Sequence, residues 1–539
     1  MSRAPLSMYR PGRKAPLDVD GLRTHCQQQV AAGQAAQTVE LLLDLVQSLA
    51  QRVDLLELRL ARMAQAQWGR RSEKISAAQL VLALDPGQPV PLLEIPQPAQ
   101  DDVDAPAESQ PPSGPQTPKR NRSRQIPAHI PRTIIVSEPP QEQLLCPDCG
   151  APKTPMGTVC SEVLQWEPGG FRAEATHRHK YACRPCQSGV VLGPAPVRVL
   201  EQAMPGAGLL AEVVVRKIKD HCPLERQSRI FTQRFGVPLS ASTLGEWTAG
   251  TAQVLSPVAQ RLRERGLCSA HLSQDDTPIR VLDRAHPKGV KRGHLWAFVS
   301  DEPSVFFQYT PSWHGEPIRQ LLGNYKGTLQ GDGYSGLNEL FQKEPAPRRA
   351  GCLAHARRKF INAYQAGDLR AAVPLQLIQQ IYAVEKRATQ DSCDPEQRLQ
   401  RRQQLSQPLM QKLREQLLLL QAQAPPKTPL GQALTYARRQ WETLTLFLTD
   451  AALRPDNNHT ERALRPIGVG RKNWLFAGSD EGARTLAILY TVVGSCELAG
   501  LLDPWHYLRD VLEKLSQGWP HSRLDELLPL AWRAAHPTS

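Results

Sequence analysis

Two C-x-x-C pairs constrain this chain more than any other feature in it. Cys146-Pro147-Asp148-Cys149 and Cys183-Arg184-Pro185-Cys186 each set two thiols on one tight turn, and two such knuckles can close a tetrahedral Zn²⁺ site. The 33 residues between Cys149 and Cys183 exceed the spacing of a short zinc ribbon, so a hairpin has to bring the pairs together. His177 and His179 are spare ligand candidates that read more simply as exposed strand residues. Redox cysteines are the competing reading, and no βαβ pattern surrounds either pair. Eleven cysteines scattered over a long chain do not resemble a secreted disulfide framework, so a reducing cytoplasm with structural zinc is expected.

At 539 residues the chain is long enough for roughly three or four domains. A formal charge of +13 favours a polyanionic partner, and the 47 prolines announce linkers. The charged N-terminus leads into no apolar core, which argues against a secretory signal. The most apolar run, Ala487 to Leu502, contains Gly494 and Glu497, so no membrane span is expected.

Residues 1–36 read as a flexible arm, and 37–80 as a leucine-rich helix. Leu42, Val46, Leu49, Val53, Leu56, Leu60 and Met63 alternate in steps of four and three. β-Branched residues at a with Leu at d favour a parallel two-stranded coiled coil, hence a homodimer or higher oligomer. Leu41, Leu43, Leu45 and Leu55 widen the stripe, which suits an amphipathic helix packed on its own domain as well. Residues 81–132 form a Pro-rich linker expected to be disordered, carrying the basic run Lys119-Arg120-Asn121-Arg122-Ser123-Arg124. A zinc-binding module is expected over 133–200.

The segment 201–260 reads as helical. Leu209, Leu210, Val213, Val214 and Ile218 mark one helix. Glu225 to Arg234 marks a second, stopped at Gly236, and Ser240 or Ser242 caps a third over Thr243 to Trp247. This is the outline of a helix-turn-helix, with Arg226, Arg229, Lys217 and Lys219 nearby as DNA-binding candidates. An ordinary three-helix bundle matches the pattern nearly as well.

From Leu267 the pattern turns to strands. Cys268 to Gln274 leads into Asp275-Asp276-Thr277-Pro278; Gly293 to Val299 and Ser304 to Thr310 follow as a hairpin; Gly315 to Leu322 reads as a helix. Gly327 to Gln330 is a further strand, stopping at Gly331-Asp332-Gly333. An order β-β-β-α-β, with one acid on the first strand and another where the fourth ends, is a ribonuclease H-like arrangement. The expected fold is therefore multidomain α+β with a ribonuclease H-like catalytic domain over 265–500, interrupted by a helical insertion at about 365–430. A helical tail closes the chain at 501–539.

Several phrases in this order resemble the DDE transposases of the insertion sequence 66 (IS-66) family. They are Asp275-Asp276-Thr277; Leu329 to Gly336; Gly351 to Phe360; Asp456-Asn457-Asn458 with Glu461 to Pro466; and Gly470 to Gly478. Gly69 to Lys74 and the two-knuckle region belong to the same resemblance, which runs from about Leu41 to Trp532. It implies a carboxylate triad, Asp275, Asp332 and Glu461, holding Mg²⁺ or Mn²⁺; a metal pair about 3.5–4 Å apart neutralises both attacking and leaving oxygens. It implies double-stranded DNA as substrate, element ends and target alike, in a cytoplasmic, nucleoid-associated protein working with small accessory proteins of its element. Cys352 and His355 resemble a C-x-x-H element after the second aspartate; a buried pair accounts for them equally well.

Each acid also has a plainer reading. Asp332, between glycines, can stabilise a turn. Asn458 and Glu461 have capping-box spacing. Asp276 stands where the family phrase commonly carries Glu, beside Asp275. Arg465, Arg471 and Lys472 follow the third acid as candidate phosphate clamps, and Trp474 reads as a core residue before a base-stacking one.

Overall fold

The computed structural model describes residues 125–537 except 187, 202, 343–345 and 502, with scattered positions between 24 and 42. The heptads beyond Leu42 and the basic run at 119–124 lie outside the described residues. Two compact units divide the chain: one comprises 1–90, 358–376 and 420–433, the other everything else.

The larger unit begins with a four-stranded sheet. β1 (Arg132–Ser137) runs parallel to β3 (Gly170–Cys183), which forms a long antiparallel hairpin with β2 (Thr154–Glu167) and also pairs β4 (Ser188–Leu192). The Pro-rich linker expected to reach 132 ends sooner. Ile126 and Ile130 are buried, and the Arg132 guanidinium donates to the carbonyls of Ile126, Pro127, Ala128 and Ile130 at 3.0–3.2 Å. Two isoleucines in a polar stretch are enough to anchor it once one arginine satisfies its carbonyls.

Three helices follow: α1 (Ala207–Ile218), α2 (Leu224–Phe235) and α3 (Ala241–Leu267). Leu209, Leu210, Val213, Val214 and Ile218 are all buried, as their spacing predicts. Gly236, at φ +63°, ends α2 in the left-handed conformation, and Ser240 Oγ accepts the Thr243 N–H at 3.2 Å to start α3. The third helix is far longer than Thr243 to Trp247. It carries Leu255, Val258 and Leu262 into the same core as the strands that follow, so no separate module ends at 260.

The second sheet has strand order β7-β6-β5-β8-β9: β5 (His271–Leu282), β6 (Val290–Ser300), β7 (Val305–Thr310), β8 (Thr328–Gln330) and β9 (Arg348–Ala350). β5/β6 and β6/β7 are antiparallel; β5/β8 and β8/β9 are parallel, with α4 (Glu316–Leu321) in the crossover between β7 and β8. Both faces are covered. Ile279, Val281, Leu295, Ala297, Val299 and Val305 point into the core shared with α3, while Leu272, Trp296, Phe298, Phe306 and Leu329 point into a second core. That strict alternation is the two-residue period of a strand expressed on two buried faces.

From β9 the chain is helical: α5 (Leu353–Gln365), α6 (Ala372–Gln390), α7 (Pro395–Arg401), α8 (Gln407–Gln421), α9 (Pro429–Arg439) and α10 (Trp441–Thr445). The helical stretch is thus wider than 365–430. Arg402, within it, is buried and held by both Glu385 oxygens and by the Phe447 and Asp450 carbonyls at 2.6–2.9 Å. Then come α11 (Asn458–Trp474), α12 (Asp480–Leu498), α13 (Pro504–Ser516) and α14 (Pro529–Ala535). The expected C-terminal tail is core instead: Trp505, Tyr507, Leu508, Val511 and Trp532 are buried in the cluster that also holds Leu210 and Val281. Among the described residues no helix is long and apolar enough to cross a membrane.

Candidate active site and thiol cluster

The hairpin β2–β3 returns the chain so that the Sγ atoms of Cys146, Cys149, Cys183 and Cys186 lie within 4.8 Å of one another. The first knuckle is closed by Gly150 N–H to Cys146 O and by Cys146 N–H to Ala151 O, both 2.9 Å. Cys149 and Cys183 Sγ are 3.6 Å apart, and Cys146 and Cys186 Sγ 3.9 Å. Thiolates at tetrahedral zinc, with Zn–S near 2.3 Å, sit about 3.8 Å apart. The donor set and these two edges therefore fit that ion. His179 is engaged elsewhere, its Nδ1 2.6 Å from Glu138 Oε1.

The carboxylates are assembled by register. Ser273 on β5 pairs with Gln330 on β8, and their side chains touch, Ser273 Oγ donating to Gln330 Oε1 at 3.3 Å. Two residues beyond this pair stand Asp275, on β5, and Asp332, just past the end of β8. Asp275 is not at a strand end, as the sequence pattern suggests, because β5 continues to Leu282 against β6. What ends is β8: its pairing with β5 stops at Ser273, leaving the β5 edge without a strand partner from Asp275 until Val281, which bridges Ala477. The Asp332 carboxylate accepts its own Tyr334 N–H at 2.9 Å, and Gly333, at φ +85°, lets the chain turn away there. The Tyr436 hydroxyl donates to the Asp332 carbonyl at 2.6 Å.

The start of α11 enters over that open edge. Asn457 donates from Nδ2 to the Gln274 carbonyl at 3.1 Å and from its backbone N–H to Cys352 Sγ at 3.4 Å. Glu461 lies one turn in, its Oε1 3.8 Å from His355 Nε2. The Asn458–Glu461 capping box is not formed. Asn457 is the cap residue, and the Asp456 carboxylate accepts the Asn458 N–H at 3.1 Å. Cys352 is fully buried, and burial pushes its thiol up to about 12, so it serves as a neutral acceptor for Asn457.

Asp275 carries the electrostatic signature of the cleft: its carboxyl is pushed up to about 7. Burial is the largest cause; the Asp276 N–H pulls the other way; the charges of Asp332, Glu461 and Asp276 raise it further. The charges of Asp332 and Glu461 both reach Asp275 across poorly solvated space, although among the described residues only the four thiols converge to within 4.8 Å of one another. Asp276 points to the opposite face of β5, where His294 Nδ1 and Trp313 Nε1 contact its carboxylate. A cavity of about 620 Å³, lined by Arg263, Phe307, Tyr309 and Arg484 among others, contains none of these acids.

The basic candidates divide. Arg465 and Lys472 on α11 are exposed, as are Arg226 and Arg229 on α2. Arg471 is not a free clamp, since its guanidinium donates to Thr277 Oγ1 at 2.9 Å and to the Pro278 carbonyl at 2.7 Å. Pro278 lacks an N–H, and on the open edge of β5 its carbonyl needs such a donor. Lys217 is not an exposed charge either; desolvation lowers its ammonium to about 8. Trp474 packs against the main core. His294, Trp313 and Tyr436 carry no warning in the sequence: their partners lie 18 to 104 residues away.

A family model described as the transposase IS66 family matches residues 202–485, and one described as the zinc-finger binding domain of transposase IS66 matches 143–187. The IS66 C-terminal element matches 491–530, and a model described as transposase C of IS166 homeodomain matches 55–135. Among curated relatives, the uncharacterized protein y4jD of Sinorhizobium fredii is 33% identical over 424 residues, 76% of this chain and 82% of y4jD. The uncharacterized protein y4hP of the same organism is 31% identical over 446 residues, 78% of each chain.

Proposed function

The chain belongs to the IS66 transposase family, and from that premise we propose that it is a DNA transposase whose catalytic carboxylates are Asp275, Asp332 and Glu461. The reading is supported by the family match over 202–485 and by the charges of Asp332 and Glu461, which raise the buried Asp275 carboxyl, a crowding of acids from distant segments. Such crowding is costly without cations, and hard oxygen donors are what Mg²⁺ or Mn²⁺ take. Bound there, these ions supply an activated water and neutralise charge building on the phosphodiester oxygens. The order β7-β6-β5-β8-β9, with three antiparallel strands followed by two parallel ones, supports a ribonuclease H-like core.

The chain's own groups do the positioning. Ser273–Gln330 pairing fixes Asp275 beside Asp332, Asn457 pins the first turn of α11 to β5, and His355 stands against Glu461. The reaction is strand hydrolysis at an element end, freeing a 3′-OH that attacks target DNA by in-line transesterification. Exposed Arg226, Arg229, Arg465 and Lys472 contact phosphates, and the four cysteines hold zinc that keeps the hairpin module folded. Residues 37–80, all but a few of which lie outside the described residues, provide a dimer contact suited to pairing two ends.

The test uses DNA flanking the coding region as substrate and compares wild type with Asp332→Asn in Mg²⁺. The wild type should yield joined products and Asp332→Asn about 10³-fold less, a loss of the several kcal/mol that metal-held charge supplies. Equal activity in both would remove Asp332 from the mechanism, and cut but never joined ends would make the protein a nuclease.

A further inference from the structure

We propose that the outer face of α11 is a track for duplex DNA, and that it ends in an apolar wedge, Leu475 and Phe476, which enters and unstacks one base step. The proposal rests on the reading of this site as one that acts on DNA. It goes beyond phosphate contact by naming what meets the bases.

The helix lines up its cations on one side. Arg462, Arg465, Val469, Lys472 and Asn473 are exposed, while Thr460, Leu464, Ile467 and Gly470 are buried. At about 100° per residue the exposed set spans an arc of about 100°, and Glu461 borders it, about 40° from Arg465. A phosphate held at Glu461 therefore continues directly onto this face. Among the described residues none of its three cations has an ion pair, and the next acids along the chain, Asp480 and Glu481, are held by Lys291 and Arg484. A positive face without acids of its own suits a polyanionic backbone.

The helix then ends in a strained turn. Leu475 sits at φ +62° and ψ −44°, and the Phe476 N–H donates to the Trp474 carbonyl at 2.7 Å, a γ-turn of the rare, strained hand. Glycine would adopt that conformation without strain; leucine does not. Both ends of the turn are fixed. Trp474 packs on the main core, and the Leu475 N–H donates to the Arg471 carbonyl at 3.1 Å. Ala477 is buried, giving its N–H to the Arg280 carbonyl at 2.8 Å and accepting the Leu282 N–H at 2.9 Å. Between these anchors Leu475 is 56% and Phe476 40% exposed. Two adjacent large apolar side chains held out by an unfavourable backbone do not serve packing, and strain of this kind gathers where a chain meets its ligand.

The cations choose the ligand. The thirteen residues from Glu461 to Trp474 rise about 20 Å along the helix axis. Successive phosphates on a DNA strand are about 3.4 Å apart along the duplex, so six base pairs cover that distance. A duplex lying along the cations meets Leu475 and Phe476 about six pairs from the phosphate at the acids. Phe and Leu are among the side chains that enter base steps, unstacking them and kinking the duplex. Insertion costs least at pyrimidine–purine steps, which are the easiest to unstack.

The experiment uses the full chain, Ca²⁺ in place of Mg²⁺, and duplexes from the DNA flanking the coding region with 2-aminopurine at successive positions. Unstacking brightens 2-aminopurine. The wild type should brighten one position, about six pairs from the phosphate cleaved in Mg²⁺, and Leu475→Ala/Phe476→Ala should return it to the level of free duplex. The salt dependence of binding should stay as in wild type, because the wedge carries no charge, whereas Arg462→Ala should reduce the slope by about one. Leu475→Gly removes the side chain and the strain together. It should weaken the brightening without lowering the melting temperature, the reverse of what a packing role would give. The wedge is overturned by a wild type that brightens no position, by brightening retained in the double variant, or by a lowered melting temperature in Leu475→Gly. An unchanged slope in Arg462→Ala removes the track. Strand cleavage in Mg²⁺ is scored separately: a wild type that brightens a base step but never cuts counts against the transposase reading and leaves the wedge in place.

Discussion

The thiol cluster and the carboxylate cluster proposed to hold Mg²⁺ are assembled in opposite ways. Four cysteines come from two short turns at the ends of one hairpin, and their sulfurs already stand at metal-ligand spacing. Three acids come from β5, the end of β8 and the start of α11, with 185 residues between the first and the last. The thiols give up protons readily to zinc and then hold their module together. The acids repel one another in a desolvated cleft, so their assembly has to be imposed by the surrounding core. One cluster stabilises its fold; the other is a strain that the fold carries.

That contrast can be broken by measurement. The largest effect belongs to the thiols. A Cys146→Ser/Cys183→Ser protein should lose one equivalent of zinc by metal analysis and unfold its hairpin module at much lower temperature, because structural zinc contributes on the order of 10 kcal/mol to small modules. Unchanged zinc content refutes the site.

Substitution at the acids should move stability the other way. A carboxyl whose pKa is raised in the folded state binds its proton more tightly there than when unfolded, so stability is fullest below the ordinary value of 3.8. It falls as pH climbs to about 7. Asp275→Asn removes that slope. In metal-free protein, urea unfolding should show the variant gaining a few kcal/mol over wild type at pH 8 and nothing at pH 3, about three units at 1.36 kcal/mol each at most. A wild type as stable at pH 8 as at pH 4, relative to the variant, would dissolve the contrast.

The smallest effect separates structure from substrate contact on α11. Arg471→Ala should lower stability by about 1–2 kcal/mol, because it strips donors from the β5 edge. Lys472→Ala should leave stability alone and reduce the salt dependence of DNA binding by about one phosphate contact. Reversed outcomes would return Arg471 to the phosphate clamp.

Much of this was legible because the signals were local. The C-x-x-C pairs, Gly236 behind α2, Ser240 before α3 and the buried spacing of Leu209, Leu210, Val213, Val214 and Ile218 all act within a few residues. The strand run from β5 to β8 followed from short apolar runs bounded by turn residues. Boundaries were less legible. The end of the linker, the length of α3 and the fate of the C-terminal segment depend on a shared core that joins Ile126, Leu210, Val281 and Trp532, which no window of sequence contains.

By itself, then, the sequence determined the chemistry on offer: four thiols at knuckle spacing, three acids on elements of the right type, and a surplus of positive charge. Those depend on covalent order, turn geometry and side-chain period. Tertiary structure alone decided which acid faces the cleft, since Asp275 and Asp276 are neighbours and only the burial of opposite β5 faces assigns one to α11 and the other to Trp313. It also decided that Arg471 serves the strand edge. The physical reason is that a side chain's partner is chosen by packing across space, and chain order says nothing of who stands opposite.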